Sequence, residues 1–404
     1  MFTLNQNQQF VVDRAIDWYY NSSDQVFEYD GCAGSGKSVV LNEIVKRLGL
    51  NPLTEIAPMS FIGSASLVMR MKGLISAKTA HSWIFDVIPV PLLDKHGNVI
   101  MDELLNKPIM VPKFIPIDKL NSKIKLIVID EAYSMPLKLR PVIEKFGVKI
   151  IACGDQNQLP PVNDYPAFLT DHTKIYHLTE CMRQAGRDDI HYIANRVGAG
   201  LSIDNGLYDN SLVINRSDLE DKMLLWADMV ICGTNKTRDY LNNKIRRLKG
   251  YTSKLPQYGE KVVCRNNNWL EDVQIDKDYK INLCNGLIGK VVNSPDVSSF
   301  DGKLFSMSFS PDLAPKAIFK NTRCNYKHMI SDNDTRMEIR QTKWELGNKF
   351  EFAYAITAHI AQGSQFHNVV YIEERMPYQI QNAVNLVGAS RADMKLVYVK
   401  NSFQ

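Results

Sequence analysis

Residues 25–48 read QVFEYDGCAGSGKSVVLNEIVKRL. The opening QVFEYD (25–30) predicts a short strand, and further on Val40, Ile44, Val45 and Leu48 fall on one face of a helix. Between them lies GCAGSGKS, Gly31 to Ser38, which fits the pattern GxxxxGK[ST] in full. Strand, glycine-rich loop and helix make one unit of a parallel α/β sheet. In such a loop the backbone N–H groups can turn inward around phosphates, and the helix N-terminus adds partial positive charge. Gly31, Cys32, Ala33, Gly34, Ser35 and Gly36 would cradle the phosphates of ATP. Lys37 would reach its β and γ phosphates, and the Ser38 hydroxyl would ligate Mg2+.

Outward from this unit, IKLIVID (124–130) is an almost unbroken apolar run, as in a strand buried on both faces. VKIIAC (148–153), DMVIC (228–232), NVVYIE (368–373) and MKLVYV (394–399) repeat the pattern, in two clusters on either side of about residue 175. Two α/β lobes follow. The run at 124–130 ends in Asp130 and Glu131, and two adjacent carboxylates after a buried strand are costly unless used. Asp130 would hold Mg2+ and Glu131 would orient and deprotonate an attacking water.

The bulk composition fits this reading. The 404 residues are 45% hydrophobic and 23% charged, and no apolar stretch is long enough to span a membrane. The opening MFTLNQNQQFVVD lacks the basic and apolar regions of a secretory signal, so a cytoplasmic location is expected. Net charge is a mild +4, and a groove that tracks phosphates needs local basic patches, not a basic whole. The seven cysteines (Cys32, Cys153, Cys181, Cys232, Cys264, Cys284 and Cys324) contain no CxxC pair and are expected as reduced thiols.

A P-loop ATPase can be a kinase, a switch, a transporter or a motor. Further strings narrow the choice: GDQNQLPPV (154–162), LTECMRQ (178–184), YAITAHIAQGSQF (354–366) and VGASRA (387–392). In this order they resemble the motifs of superfamily 1 helicases, and in detail its 5′-to-3′ branch, the RecD-like helicases, with the layout of its compact phage members. The likeness implies two RecA-like P-loop lobes, at 1–175 and 176–404. It also implies that Gln8 reads adenine, that Gln158 senses the γ-phosphate, and that Arg183 and Arg391 reach the γ-phosphate from the second lobe.

Proline-rich residues 86–118 read as a β-hairpin or an extended insertion in the first lobe, which the resemblance puts at the position of the family's strand-separating pin, with Lys95, His96 and Asn98 near a polar tip. Several short β-like runs within 256–345 suit a small β-barrel inserted in the second lobe. By the same resemblance, single-stranded DNA would run past Pro58, Met59 and Ser60, past His81 in TAHS, past Thr234 and Asn235, and past Thr357, His359 and Ser364. Hydroxyls, amides and helix N-termini are suitable phosphate partners that read no sequence. Trp83 or Phe85 could stack on bases. Met59 stands where threonine is usual, Gln365 where glutamate is common, and Ser390 where threonine is usual.

The expected protein is thus an ATP-driven helicase on single-stranded and fork DNA, monomeric, beside a single-strand-binding or replisome protein in replication or recombination. Three alternatives stay open: a translocase that displaces proteins, a subunit of a recombination or nuclease complex, and a non-motor ATP switch. RNA as the track is open as well, because backbone contacts do not exclude a 2′-hydroxyl.

Overall fold

The computed structural model describes residues 4–32, 34–94, 96–102, 106–179, 188–276, 279–296, 303–339 and 347–401. Its first lobe is a parallel sheet in the order Ile175–Leu178, Val26–Gly31, Lys149–Gly154, Leu126–Ile129, Ile56–Ser60, Lys78–Thr79. The edge strand Ile175–Leu178 crosses the boundary expected at residue 175. The helix Lys37–Arg47 buries Val40, Leu41, Ile44 and Val45 against this sheet, and Lys46 and Arg47 complement the dipole of its last turn. The second lobe's sheet runs Gly206–Tyr208, Ser211–Asn215, Ala392–Lys400, Phe366–Ile372, Met229–Cys232, Ala355–Thr357. Only its first pair is antiparallel.

A five-stranded antiparallel sheet is inserted in the second lobe, in the order Phe319–Asn325, Leu304–Pro311, Ile288–Asp296, Lys261–Cys264, Phe350–Phe352. A parallel bridge from Cys324 to Asn348 brings the last strand back beside the first, so the sheet closes on itself as a small barrel. The closing strand Phe350–Phe352 lies beyond the expected limit of 345. Val262, Val291, Phe305, Phe309, Phe319 and Phe350 fill its interior. The strands Asn268–Asp276 and Tyr279–Leu283 form a hairpin projecting from the barrel.

The barrel belongs to the second lobe in sequence but also rests on the first. The helix Gly63–Met71 of the first lobe sends Leu67 into the barrel core, and Arg70 Nη1 donates to Lys280 O at 2.8 Å. A Cβ at Gly63 would lie 2.8 Å from the Cys284 side chain, so only glycine admits this approach. On its other side the barrel is tied to the second lobe by Glu351. That carboxylate, almost wholly buried, meets Arg238 at 2.8 Å, Arg265 at 3.2 Å, His328 at 3.3 Å and Arg336 at 3.8 Å. Burial opposes its charge, yet His328 and the three guanidiniums hold the carboxyl well below the usual range.

Besides Leu67, another apolar side chain is shared across the lobes. Leu159 follows the first lobe's strand Lys149–Gly154, yet its fully buried side chain belongs to the second lobe's core with Ile190, Ile356 and Val387. Gln362 Nε2 of the second lobe donates to Leu159 O at 3.4 Å.

The expected 86–118 insertion is a hairpin of Phe85–Pro91 against Met110–Pro116. Asp94 Oδ1 accepts from the N–H groups of His96 and Asn98, both at 2.8 Å, and so shapes the turn; Lys95 lies outside the described residues. The flanks are less polar than the tip, because Leu93, Val99, Met101 and Met110 are exposed. Among the described residues no helix is long and apolar enough to cross a membrane.

Candidate functional site

The strand Val26–Gly31 ends in the phosphate loop. Gly34 and Gly36 have φ of 91° and 87°, a left-handed backbone that favours glycine. At Gly31 a Cβ would lie 2.3 Å from Ser35 Oγ, so the loop could not fold back over its strand with a larger residue. Ser35 Oγ is buried and has no hydrogen-bond partner among the described residues. Lys37 Nζ donates to the carbonyls of Gly31 at 2.6 Å and Cys32 at 3.1 Å, curled over the loop whose phosphates it would bind. Cys32 is half-buried at the loop's edge; Ala33 lies outside the described residues.

The loop opens on a cleft of about 1250 Å³ between the lobes. Gln8, Lys37, Ser38, Asp130, Glu131 and Gln158 line it from the first lobe, and Ser364 and Arg391 from the second. Glu131 has φ of 52°, so the strand end turns sharply and sets two consecutive carboxylates at the cleft. Burial, and then the neighbouring Asp130 charge, raise the Glu131 carboxyl above its ordinary value, while Lys37 and Arg391 pull it down. The influence of Arg391 reaches from the other lobe, so the two walls are already electrostatically in contact.

Asp130 Oδ1 accepts from the Glu131 N–H at 2.9 Å and from the Cys153 thiol at 3.4 Å, and burial keeps that thiol protonated. Its Oδ2 makes no hydrogen bond among the described residues, so a carboxylate oxygen and the Ser38 hydroxyl are the hard oxygen donors a Mg2+ ion takes. Gln158 is buried, with Nε2 donating to Asp155 Oδ2 at 3.2 Å and Oε1 without a hydrogen-bond partner among the described residues. Arg391 is buried too. Its guanidinium donates to Val387 O at 3.1 Å, Ser390 Oγ at 2.8 Å and Ser364 O at 3.3 Å. Arg183 lies outside the described residues.

Gln8 reaches the loop, but half of its amide's capacity is already used. Oε1 accepts from the Asn5 N–H at 3.2 Å in a capping box, and Nε2 donates to Ser35 O at 2.9 Å.

The residues expected along a DNA strand are distributed differently. Pro58, Met59 and Ser60 belong to a strand buried along its whole length, and Met59 packs in the first lobe's core. Its side chain therefore does not line an open groove, because it is fully buried in an apolar cluster with Ala57, Ile84, Ile129 and Met135. Trp83 is tethered through Nε1 to Pro58 O at 2.7 Å, with Lys78 over its ring, which removes it as a free stacking platform. His81 does join an aromatic row: Phe61, His81, Phe85, Phe114 and, from the barrel's hairpin, Trp269 succeed one another at centroid distances of 5.9, 5.8, 5.8 and 4.7 Å. Burial lowers the His81 pKa, which favours its neutral ring.

In the second lobe Thr357 is buried and His359 half-buried, whereas Ser364 faces the nucleotide cleft, with its carbonyl on Arg391. Asn235 is exposed. Thr234 is not free: the Glu374 carboxylate accepts from the N–H groups of Gly233 at 2.7 Å and Thr234 at 2.9 Å, and from the hydroxyls of Thr234 and Thr237. A carboxylate thus fills the anion-binding turn expected for a phosphate. Glu374 went unnoticed in the sequence, although it follows a buried apolar strand just as Asp130 and Glu131 do.

A family model described as "AAA domain" matches residues 3–205. The chain belongs to the AAA-domain family. Across the whole chain, both lobes and barrel, the fold is similar to solved structures of Pif1 helicases. A structure of two coordinating Pif1 helicases at forked double-stranded DNA matches with a TM-score of 0.55 at 16% identity, covering 99% of this chain and 92% of that one. Pif1 helicase from Candida albicans matches with 0.55 at 18% identity, covering 100% and 95%. Bacteroides Pif1 bound to single-stranded DNA matches with 0.54 at 16% identity, covering 99% and 93%.

Proposed function

We propose that this chain is an ATP-dependent helicase that moves along single-stranded DNA, 5′ to 3′, and separates duplex ahead of it in replication or recombination. One observation carries the reading: the phosphate loop and the Asp130–Glu131 pair on one lobe face Arg391 on the other across a single cleft. A γ-phosphate held from both sides favours closure, and its loss on hydrolysis favours opening. The Bacteroides protein bound to single-stranded DNA and the Pif1 pair at forked DNA support DNA as the track. The polarity rests on the resemblance of the motifs to the 5′-to-3′ branch. We take the working unit as a monomer beside a single-strand-binding or replisome protein.

In this mechanism Lys37 leaves the loop carbonyls for the phosphates, and Ser38 and Asp130 would hold Mg2+, which would neutralise phosphate charge when bound. Glu131 takes the proton of the attacking water. Arg391 stabilises the negative charge that develops on the transferred group. Gln158, whose carbonyl oxygen has no partner among the described residues, can orient that water or sense the γ-phosphate.

The test is ATP hydrolysis with and without single-stranded DNA, with Lys37→Ala as the blank, followed by unwinding of forks with a 5′ or a 3′ tail. Stimulation by DNA together with unwinding of the 5′-tailed fork is the expected result. A rate indifferent to DNA and RNA would leave a non-motor switch, and stimulation without unwinding a protein-displacing translocase.

The pH dependence follows from Glu131. It must be ionised to accept a proton, and its pKa is raised, so the acid limb of kcat is expected above the range of an ordinary glutamate. Arg391 lowers that pKa, so Arg391→Gln should move the limb to still higher pH. A limb that stays in place in the variant would show that the two groups do not communicate.

A further inference from the structure

The cleft contains a second lysine that no motif reading singles out. Lys72 ends the helix Gly63–Met71, and its Nζ donates to the Ser38 Oγ at 3.1 Å. Its backbone is fixed: Asn42 Nδ2, one turn along the phosphate-loop helix, donates to Lys72 O at 2.9 Å, and the Lys72 N–H reaches Val68 O at 3.1 Å. The side chain is thereby anchored beside Ser38, and only its flexible stem can move. Among the described residues this ammonium has no carboxylate partner; its hydrogen bond goes to a neutral hydroxyl. Lys37 Nζ likewise rests on neutral carbonyls. Two ammoniums therefore stand at one cleft, and among the described residues both hydrogen-bond to neutral oxygens.

We propose that Lys72 is a further phosphate-binding cation of this nucleotide site, holding the Ser38 hydroxyl while the site is empty and turning to the phosphate oxygens of a nucleotide when it binds. The inference rests on the reading of the cleft as a nucleotide site. A divalent cation on Ser38 and the phosphates would repel the ammonium and neutralise the same phosphate oxygens, so the contribution of Lys72 is largest when no metal is bound. With the Lys72 backbone anchored at Asn42 and Val68, its flexible stem can carry the ammonium from Ser38 to the polyphosphate. An ammonium is a compact point charge on a flexible stem, suited to such a change of partner. The chain should consequently hold a nucleotide without metal better than a loop served by Lys37 alone.

Equilibrium binding of a fluorescent ADP to the full-length chain, in excess Mg2+ and in EDTA, tests this. The readout is the ratio of the metal-free Kd to the Mg2+ Kd. In Lys72→Met, which keeps the length of the stem, the ratio is expected to rise about tenfold, the loss of one charge-assisted hydrogen bond. Lys72→Arg should stay near the wild-type ratio. A ratio in Lys72→Met within twofold of wild type would overturn the proposal. Wild-type protein that binds no ADP even with Mg2+ would instead overturn the nucleotide-site reading itself.

Discussion

Arg391→Ala is expected to lower the DNA-stimulated ATPase rate by about a thousandfold, the scale of losing an arginine that stabilises phosphoryl transfer. The expectation comes from how the side chain is held. The guanidinium is buried at the cleft wall and braced by Val387 O, Ser390 Oγ and Ser364 O, while its charge already acts on Glu131 in the opposite lobe. A side chain aimed this firmly loses little freedom on meeting the transition state. Arg391→Lys should recover little, because one ammonium cannot make three divergent bonds and still reach the phosphate. Steady-state hydrolysis at saturating ATP and DNA measures the effect. A rate within tenfold of wild type would remove Arg391 from the reaction.

The second large effect concerns stability. Glu351→Ala should cost about 3–5 kcal/mol, because it leaves buried guanidiniums without their shared carboxylate. Arg238 and Arg336 keep Asp239, at 2.7 and 2.9 Å, whereas Arg265 loses its ion pair with Glu351. The folded-state pKa of Glu351 is depressed, so its contribution is fully present above the unfolded value, ordinarily about 4.3. It is lost only as pH falls from there through the folded value. Urea unfolding at pH 7 should thus show the full difference between wild type and Glu351→Ala, and the gap should narrow in strong acid. A difference below about 1 kcal/mol at pH 7 would mean that the cluster is no more than a surface ion pair.

Much of this molecule could be read from its chain because its chemistry is local. A strand, a glycine loop and a helix follow one another within residues 25–48, and apolar runs bounded by turns mark the remaining parallel strands. Asp130 and Glu131 were visible because charge directly after a buried strand is conspicuous. What escaped depends on contacts distant in sequence. Nothing in the QLPP string says that Leu159 fills the core of the other lobe, or that the last barrel strand lies past residue 345. Met59 was expected at a groove because a motif was matched by position, while its place on a strand covered on both sides decided its burial. Lys72 is one of 48 basic residues, and only the backbone anchor at Asn42 distinguishes it.

Leu159 also limits how the cleft can work. A side chain rooted in one lobe and packed in the core of the other is a fulcrum. Drawing the lobes straight apart would extract a leucine from an apolar core, at a cost of about 1.5–3 kcal/mol, whereas tilting them about it leaves that contact nearly intact. The available motion is therefore angular, and displacement grows with distance from the fulcrum. Gln158, its immediate neighbour, barely travels, while the barrel, seated on the first lobe through Leu67 and tied to the second through Glu351, is constrained by both. In the proposed helicase, a fraction of an ångström gained at the phosphates would become a longer displacement far from Leu159, the leverage by which a small chemical event would be turned into movement along a polymer.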